Sequence, residues 1–147
     1  MGLDSWADTG CLGKHAYVEK FVEFKSVYVI GFTSTLGYID NLPIAHVLYA
    51  FDKGDGTLVF LEHNNTIYIG DDMIDSLANP IQFEDNDVIV DLRPKVYYSN
   101  KNNSQLIIFP DGTSIPVDYD GLLPYIPVCK PTKYEVGNCE KISLTSK

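Results

Sequence analysis

Short runs of β-branched and aromatic residues alternate with turn residues along most of this chain. The runs fall at residues 26–32, 44–51, 57–62, 66–70, 87–92, 105–109 and 113–117. The Gly-, Asn- and Asp-rich turn signals fall at 41–43, 53–56, 63–65, 99–103, 110–112 and 120–121. Short strands at such regular intervals are typical of a barrel or sandwich. The pattern therefore predicts an all-β fold.

One helix is predicted over residues 72–83, and Pro80 interrupts its pattern because proline lacks the amide hydrogen that a helix interior uses. Residues 87–127 are predicted to form hairpins, with glycine accepting the positive φ of the tight turns. After Pro131 the chain has little to anchor it, so residues 132–147 are expected to be a loosely ordered tail. The folded domain is accordingly predicted to span residues 1–131.

Composition narrows the functional classes. A net charge of −9 argues against a nucleic-acid-binding surface, which needs clustered Lys and Arg. No run of apolar residues is long enough to predict a membrane-spanning helix. The three cysteines lack CxxC spacing, which favours a reducing, cytoplasmic setting. His15, His46 and His63 lack metal-ligand spacing and are expected to be surface or hydrogen-bonded residues. No metal or other cofactor is predicted.

Two motifs carry the chemical signal. Residues 3–9 are LDSWADT, followed by CLGK at 11–14, and residues 75–83 are DSLANPIQF. The first resembles the active-site loop of retroviral-type aspartic proteases, and more closely the protease region of copia-type retrotransposon polyproteins. The second is similar to the motif that ends the barrel and begins a short helix in that family. The resemblance covers most of residues 3–131 and implies a closed retropepsin-like barrel with one short helix.

The first motif allows two assignments of the catalytic acid. The tripeptide that begins at Asp8 matches Asp-Thr-Gly literally, but that motif should follow an apolar strand, which is not found before Asp8. Taking Asp4 as the catalytic acid explains more positions, so Asp4 is assigned and Asp8 remains the alternative. The resemblance then implies that Ser5 braces the two loops of the active pair. It also implies that Trp6, Ala7 and Asp8 contact substrate, with Asp8 binding its main chain.

Between the two motifs, a protease of this kind needs a flap, which is a β-hairpin that closes over the substrate and excludes water. Residues 27–48 are the candidate because glycines lie near the expected turn. The resemblance implies substrate contacts from Gly31, Phe32 and Gly37 in the flap. It implies further contacts from Leu77 and Ala78 in the second motif.

The resemblance implies an aspartic endopeptidase that processes Gag–Pol-like polyproteins. Two carboxyl groups about 3 Å apart cannot both ionise, so they share a proton and together act as base and acid on one water. The chain holds one such motif, so an active site requires a two-fold symmetric homodimer in which two Asp4 side chains meet. The expected partner is an extended peptide bound in β-strand fashion, with no nucleic-acid or membrane partner. The cytoplasm, including virus-like particles, is the expected location.

A second interpretation is a catalytically inactive β-barrel fragment or domesticated remnant that acts as a binding or assembly module. Trp6 favours it, because the retroviral pattern has Gly at that position. Only two residues of this sequence precede Leu3, so the N-terminal dimer strand of the family is expected to be missing. The occurrence of both the Asp4 motif and the Leu77 motif in one chain favours the protease.

Overall fold

The computed structural model describes residues 1–31, 33–97, 99 and 105–146. Its strands are β1 (Gly2–Leu3), β2 (Cys11–Gly13), β3 (Tyr17–Ile30), β4 (Tyr38–Asp52), β5 (Leu58–Gly70), β6 (Leu77–Ala78), β7 (Ile89–Asp91), β8 (Leu106–Ile108), β9 (Ser114–Pro116), β10 (Asp118–Asp120), β11 (Leu123–Tyr125) and β12 (Lys141–Ser143). The α-helices are α1 (Pro80–Glu84) and α2 (Lys133–Asn138). The chain is mainly β, as predicted. Phe32, expected to contact substrate, lies outside the described residues.

The strands form two sheets. The larger has the order β10-β11-β1-β6-β2-β5-β4-β3, with β12 added beside β5, and the smaller has the order β7-β8-β9. No pairing between β3 and β10 closes the large sheet among the described residues, so the expected closed barrel is not found. Both sheets nevertheless contribute to one core, because Leu12 and Tyr49 belong to the same buried cluster as Ile107 and Ile115.

The three long strands β3, β4 and β5 form an antiparallel meander that dominates the large sheet. The predicted turn at 53–56 joins β4 to β5, where Gly54 and Gly56 have positive φ. The predicted turn at 63–65 is wrong, because β5 continues through these residues. His63 and Asn64 are buried there, and only Asn65 adopts a positive φ, of 52°.

Helix α1 begins at Pro80, where the sequence pattern suggested an interruption. Proline suits the first helical position, where its missing N–H would have no partner, and the Asn79 side chain accepts the N–H of Ile81 at 2.9 Å as an N-cap. The predicted start at residue 72 is therefore wrong. None of the helices in the described ranges has the length and apolar character needed to cross a membrane.

The expectation of one helix and a loose tail after residue 131 is also wrong. Helix α2 begins with a capping box in which the Thr132 and Glu135 side chains each bond to the other's backbone N–H. Strand β12 then pairs with β5 in parallel. The Asn64 N–H donates to Thr145 Oγ1 at 2.8 Å, and Leu144 is fully buried, so this segment completes the core.

Candidate functional site

The loop of residues 4–10 leaves β1 and returns as β2, and β6 lies between these two strands. β1 runs parallel to β6, with Gly2 opposite Leu77, whereas β2 runs antiparallel to it, with Cys11 opposite the same Leu77. The two sequence motifs are thus brought together by direct strand pairing. This arrangement also places the start of α1 beside the loop.

Asp4 is the first residue of the loop and is held by its backbone. Its N–H donates to Ala78 O on β6 at 2.9 Å. Its Oδ1 accepts the N–H of Trp6 at 2.9 Å, which forms a tight turn closed by the side chain. The Asp4 side chain is half-buried, so it combines a fixed backbone with access to solvent.

Two side chains from the start of α1 hold the second half of the loop. Asn79 Nδ2 donates to Ala7 O at 2.6 Å. Gln82 Nε2 donates to Thr9 Oγ1 at 3.1 Å, and Gln82 Oε1 accepts the N–H of Gly10 at 3.1 Å. Neither residue was assigned a role from the sequence. The signal for Asn79 was a strong N-cap residue directly before Pro80, which marks a helix start beside the motif.

Beneath the end of the loop lies His63, which is fully buried on β5. A Cβ added to Gly10 would lie 2.7 Å from His63 Cε1, and the imidazole packs edge-on against Phe83 with ring centroids 5.7 Å apart. Neither ring nitrogen has a hydrogen-bond partner among the described residues. Burial lowers the pKa of His63 to about 4, so the ring is neutral at pH 7. The expectation of a surface or hydrogen-bonded histidine is wrong here, because β5 carries this residue into the core.

The return strand β2 is fixed by close packing against the segment before β6. The N–H of Gly13 donates to Ser76 Oγ at 3.0 Å, and the same oxygen accepts the Tyr49 hydroxyl at 2.8 Å. A Cβ at Gly13 would lie only 2.1 Å from the backbone oxygen of Met73, so glycine is required there. Burial raises the pKa of the neighbouring Cys11 thiol, which keeps it protonated and poorly nucleophilic.

Several predicted contact residues face solvent. Ser5 and Asp8 are exposed, and Trp6, the single tryptophan of the chain, is 83% exposed. Leu77 is 37% exposed and Ala78 is fully buried, so Ala78 contributes through its carbonyl oxygen.

Within the described ranges no three of the His, Cys, Asp and Glu side chains come together in an arrangement able to hold a metal ion.

The flap candidate, residues 27–48, lies within a β-hairpin, and its role as a flap stays a prediction. The hairpin consists of β3 and β4, and its tip is closed by the N–H of Gly31 donating to Gly37 O at 3.3 Å. Gly37 has φ of 69°, which favours glycine. No hydrogen bond links the described tip residues with the loop of residues 4–10. The substrate contacts predicted for Gly31 and Gly37 remain predictions.

Comparisons with protein-family models, with curated proteins and with solved structures each found no match to the chain.

Proposed function

We propose that the chain is a copia-type, retropepsin-like aspartic endopeptidase that cleaves polyproteins as a homodimer. The observation that carries the proposal is the setting of Asp4. Asp4 is half-buried, and its Oδ1 receives the Trp6 N–H within a loop held by backbone bonding to β6. A carboxyl group that is held in place and remains accessible to solvent can transfer a proton to or from a bound water.

A single chain supplies one Asp4, so the proposal depends on self-association. Ser5, Trp6, Leu77 and Ile81, on the elements that meet at the loop, are all exposed. A symmetry mate covering these residues would bring the second Asp4 alongside the first and lower the dielectric around both. In that setting one carboxyl group stays protonated while the other takes a proton from water.

The substrate in this proposal is an extended peptide. Asp8, exposed and next to Ala7, would accept hydrogen bonds from the peptide main chain, while the hairpin of β3 and β4 would close over it. Trp6 would form part of the wall beside the reacting carbonyl group. Its indole is bulkier than a glycine hydrogen, so we expect narrow selectivity for residues next to the cleaved bond.

The test is peptide cleavage across acidic to neutral pH by the wild type and three Asp→Asn variants. Asp4→Asn should abolish turnover, whereas Asp8→Asn should weaken peptide binding and keep measurable turnover. Asp55→Asn is the matched control, because Asp55 lies in the exposed β4–β5 turn and asparagine still accepts the Thr57 N–H. Cleavage lost only in Asp8→Asn would transfer the catalytic role to Asp8.

Sedimentation of the same samples completes the test. The proposal predicts a dimer, or a monomer–dimer equilibrium in which activity rises with protein concentration. A wild type that is monomeric and inactive at all concentrations favours the catalytically inactive binding or assembly module.

A further inference from the structure

The end of the loop of residues 4–10 is bonded to β5, where Thr66 Oγ1 and the Ile67 N–H donate to Gly10 O at 2.8 and 3.0 Å. Two further sets of anchors hold the rest of the loop. The first set fixes Asp4 through Ala78 O on β6 and, within the loop, through the N–H groups of Trp6 and Ala7, the latter donating to Asp4 O at 3.4 Å. None of these contacts involves a side chain of α1.

The second set comes from α1 and brackets Asp8. Asn79 holds Ala7 on one side of Asp8, and Gln82 holds Thr9 on the other. The Asp8 side chain is exposed and makes no hydrogen bond to the described residues. Its position is therefore determined by the two neighbours that α1 holds.

These anchors are themselves fixed. Asn79 is buried, and its Oδ1 is occupied in capping the Ile81 N–H, so its Nδ2 is directed at Ala7 O. Phe83, next to Gln82, is fully buried in the core and locks α1 against the sheet. A side chain on a locked, capped helix holds a loop more firmly than one on a mobile segment.

We propose that Asn79 and Gln82 are positioning residues for peptide binding at Asp8, separate from the anchoring of Asp4. The inference rests on the proposed function. It assigns substrate binding to the half of the loop that α1 holds and bond cleavage to the half that β6 holds. Variants of Asn79 and Gln82 should therefore change KM, whereas kcat should stay close to that of the wild type.

Two substitutions break the anchors with little change in volume. Asn79→Asp keeps the oxygen that caps Ile81 but places a second oxygen against Ala7 O. Gln82→Met removes the contacts to Thr9 and Gly10. Gln82→Glu is the conservative control, because a carboxylate accepts the Gly10 N–H and also accepts from the Thr9 hydroxyl.

The assay uses the member of a quenched-fluorescence decapeptide library that the wild type cleaves fastest. We expect KM to rise about tenfold in Asn79→Asp and Gln82→Met, the equivalent of about one net hydrogen bond, with kcat within about twofold. Gln82→Glu should restore the wild-type KM. Because Trp6 is the single tryptophan, its fluorescence reports binding of a reduced-amide analogue of the same peptide. The Kd of that analogue should rise by the same factor.

Thermal unfolding of each variant identifies any loss of fold, and Asn79→Asp and Gln82→Met act as independent checks on each other. A fall in kcat as large as the rise in KM, or unchanged KM in both folded variants, overturns the inference and leaves the proposed function standing. A wild type that neither cleaves the library nor binds the analogue overturns the proposed function and this inference with it.

Discussion

Acidification should destabilise the fold through His63, and the effect can be isolated with one variant. The imidazole is fully buried beneath Gly10 and against Phe83, without a hydrogen-bond partner among the described residues. Among the described residues, burial is the one cause that lowers its pKa, from 6.5 to about 4. His63→Leu removes the titrating group and fills a similar volume with apolar atoms.

The sign and size of the effect follow from this difference in pKa. In the unfolded chain the His63 imidazole takes up a proton near pH 6.5, whereas in the folded chain it does so only near pH 4. Between these values the unfolded state binds more protons, so stability falls as the pH falls from 6.5 to 4 and levels off below that. At about 1.4 kcal/mol per pH unit of difference, the full loss is about 3 kcal/mol.

The measurement is urea unfolding of the wild type and His63→Leu at several pH values from about 7.5 to 4. The free energy of unfolding of the wild type should fall by about 3 kcal/mol more than that of His63→Leu over this interval. Near pH 7 the variant should be within about 1 kcal/mol of the wild type, since no hydrogen bond is lost. His15→Leu, at an exposed position, controls for the removal of one imidazole.

Parallel pH profiles for the wild type and His63→Leu would refute the reasoning. They would mean that His63 finds a hydrogen-bond partner or solvent in the folded state. A variant much less stable than the wild type near pH 7 would point the same way, because it would reveal a lost hydrogen bond at the imidazole.

Three further perturbations test contacts that hold β2, the core and β6 in place. Gly13→Ala should cost about 3 kcal/mol of stability in thermal unfolding, because the added Cβ meets the backbone of Met73; a fully stable variant would contradict this packing. Removal of residues 132–147 should cost at least about 2 kcal/mol in urea unfolding, since it exposes apolar surface around Leu144. An unchanged midpoint would show that this segment is dispensable. Tyr49→Phe should cost about 1 kcal/mol, because it removes one hydrogen bond at the base of β6, and a hydrogen-exchange profile of β6 identical to the wild type's would argue against it.

Much of the strand pattern was predictable because apolar alternation and glycine turns are local signals. The turn at 53–56 and the hairpin with its tip between Gly31 and Gly37 were found this way. The supposed turn at 63–65 was not a turn, because its polar residues are buried by tertiary contacts. Asn64, for example, is held by the segment that includes Thr145, far away in sequence.

The starts of both helices are marked by local capping signals and not by apolar periodicity. Pro80 does not interrupt a helix but begins one, because proline is favoured in the first helical turn. Thr132 and Glu135 have the spacing of a capping box, which marks a helix start. This signal is local and does not depend on a long apolar run, which the residues after Thr132 lack.

The sequence pattern indicates the two motifs of the candidate site, but not the side chains that hold its loop in place. The two motifs were expected to cooperate, and they pair directly through β6. The hydrogen bonds from Asn79 and Gln82 to the loop depend on where α1 begins. The isolation of His63 depends on the path of β5. Neither follows from spacing along the chain.

The pairing of Asp4 with Ala78 also has a consequence for the newly made chain. When it emerges from the ribosome, the first loop has only the bonds within itself, because its partners in β6 and α1 lie more than seventy positions later. The meander of β3, β4 and β5 is made in between and needs neither of them. The contacts of this loop with β6 and α1 must therefore wait for translation beyond Gln82, so the loop acquires its tertiary support only after the meander has been made.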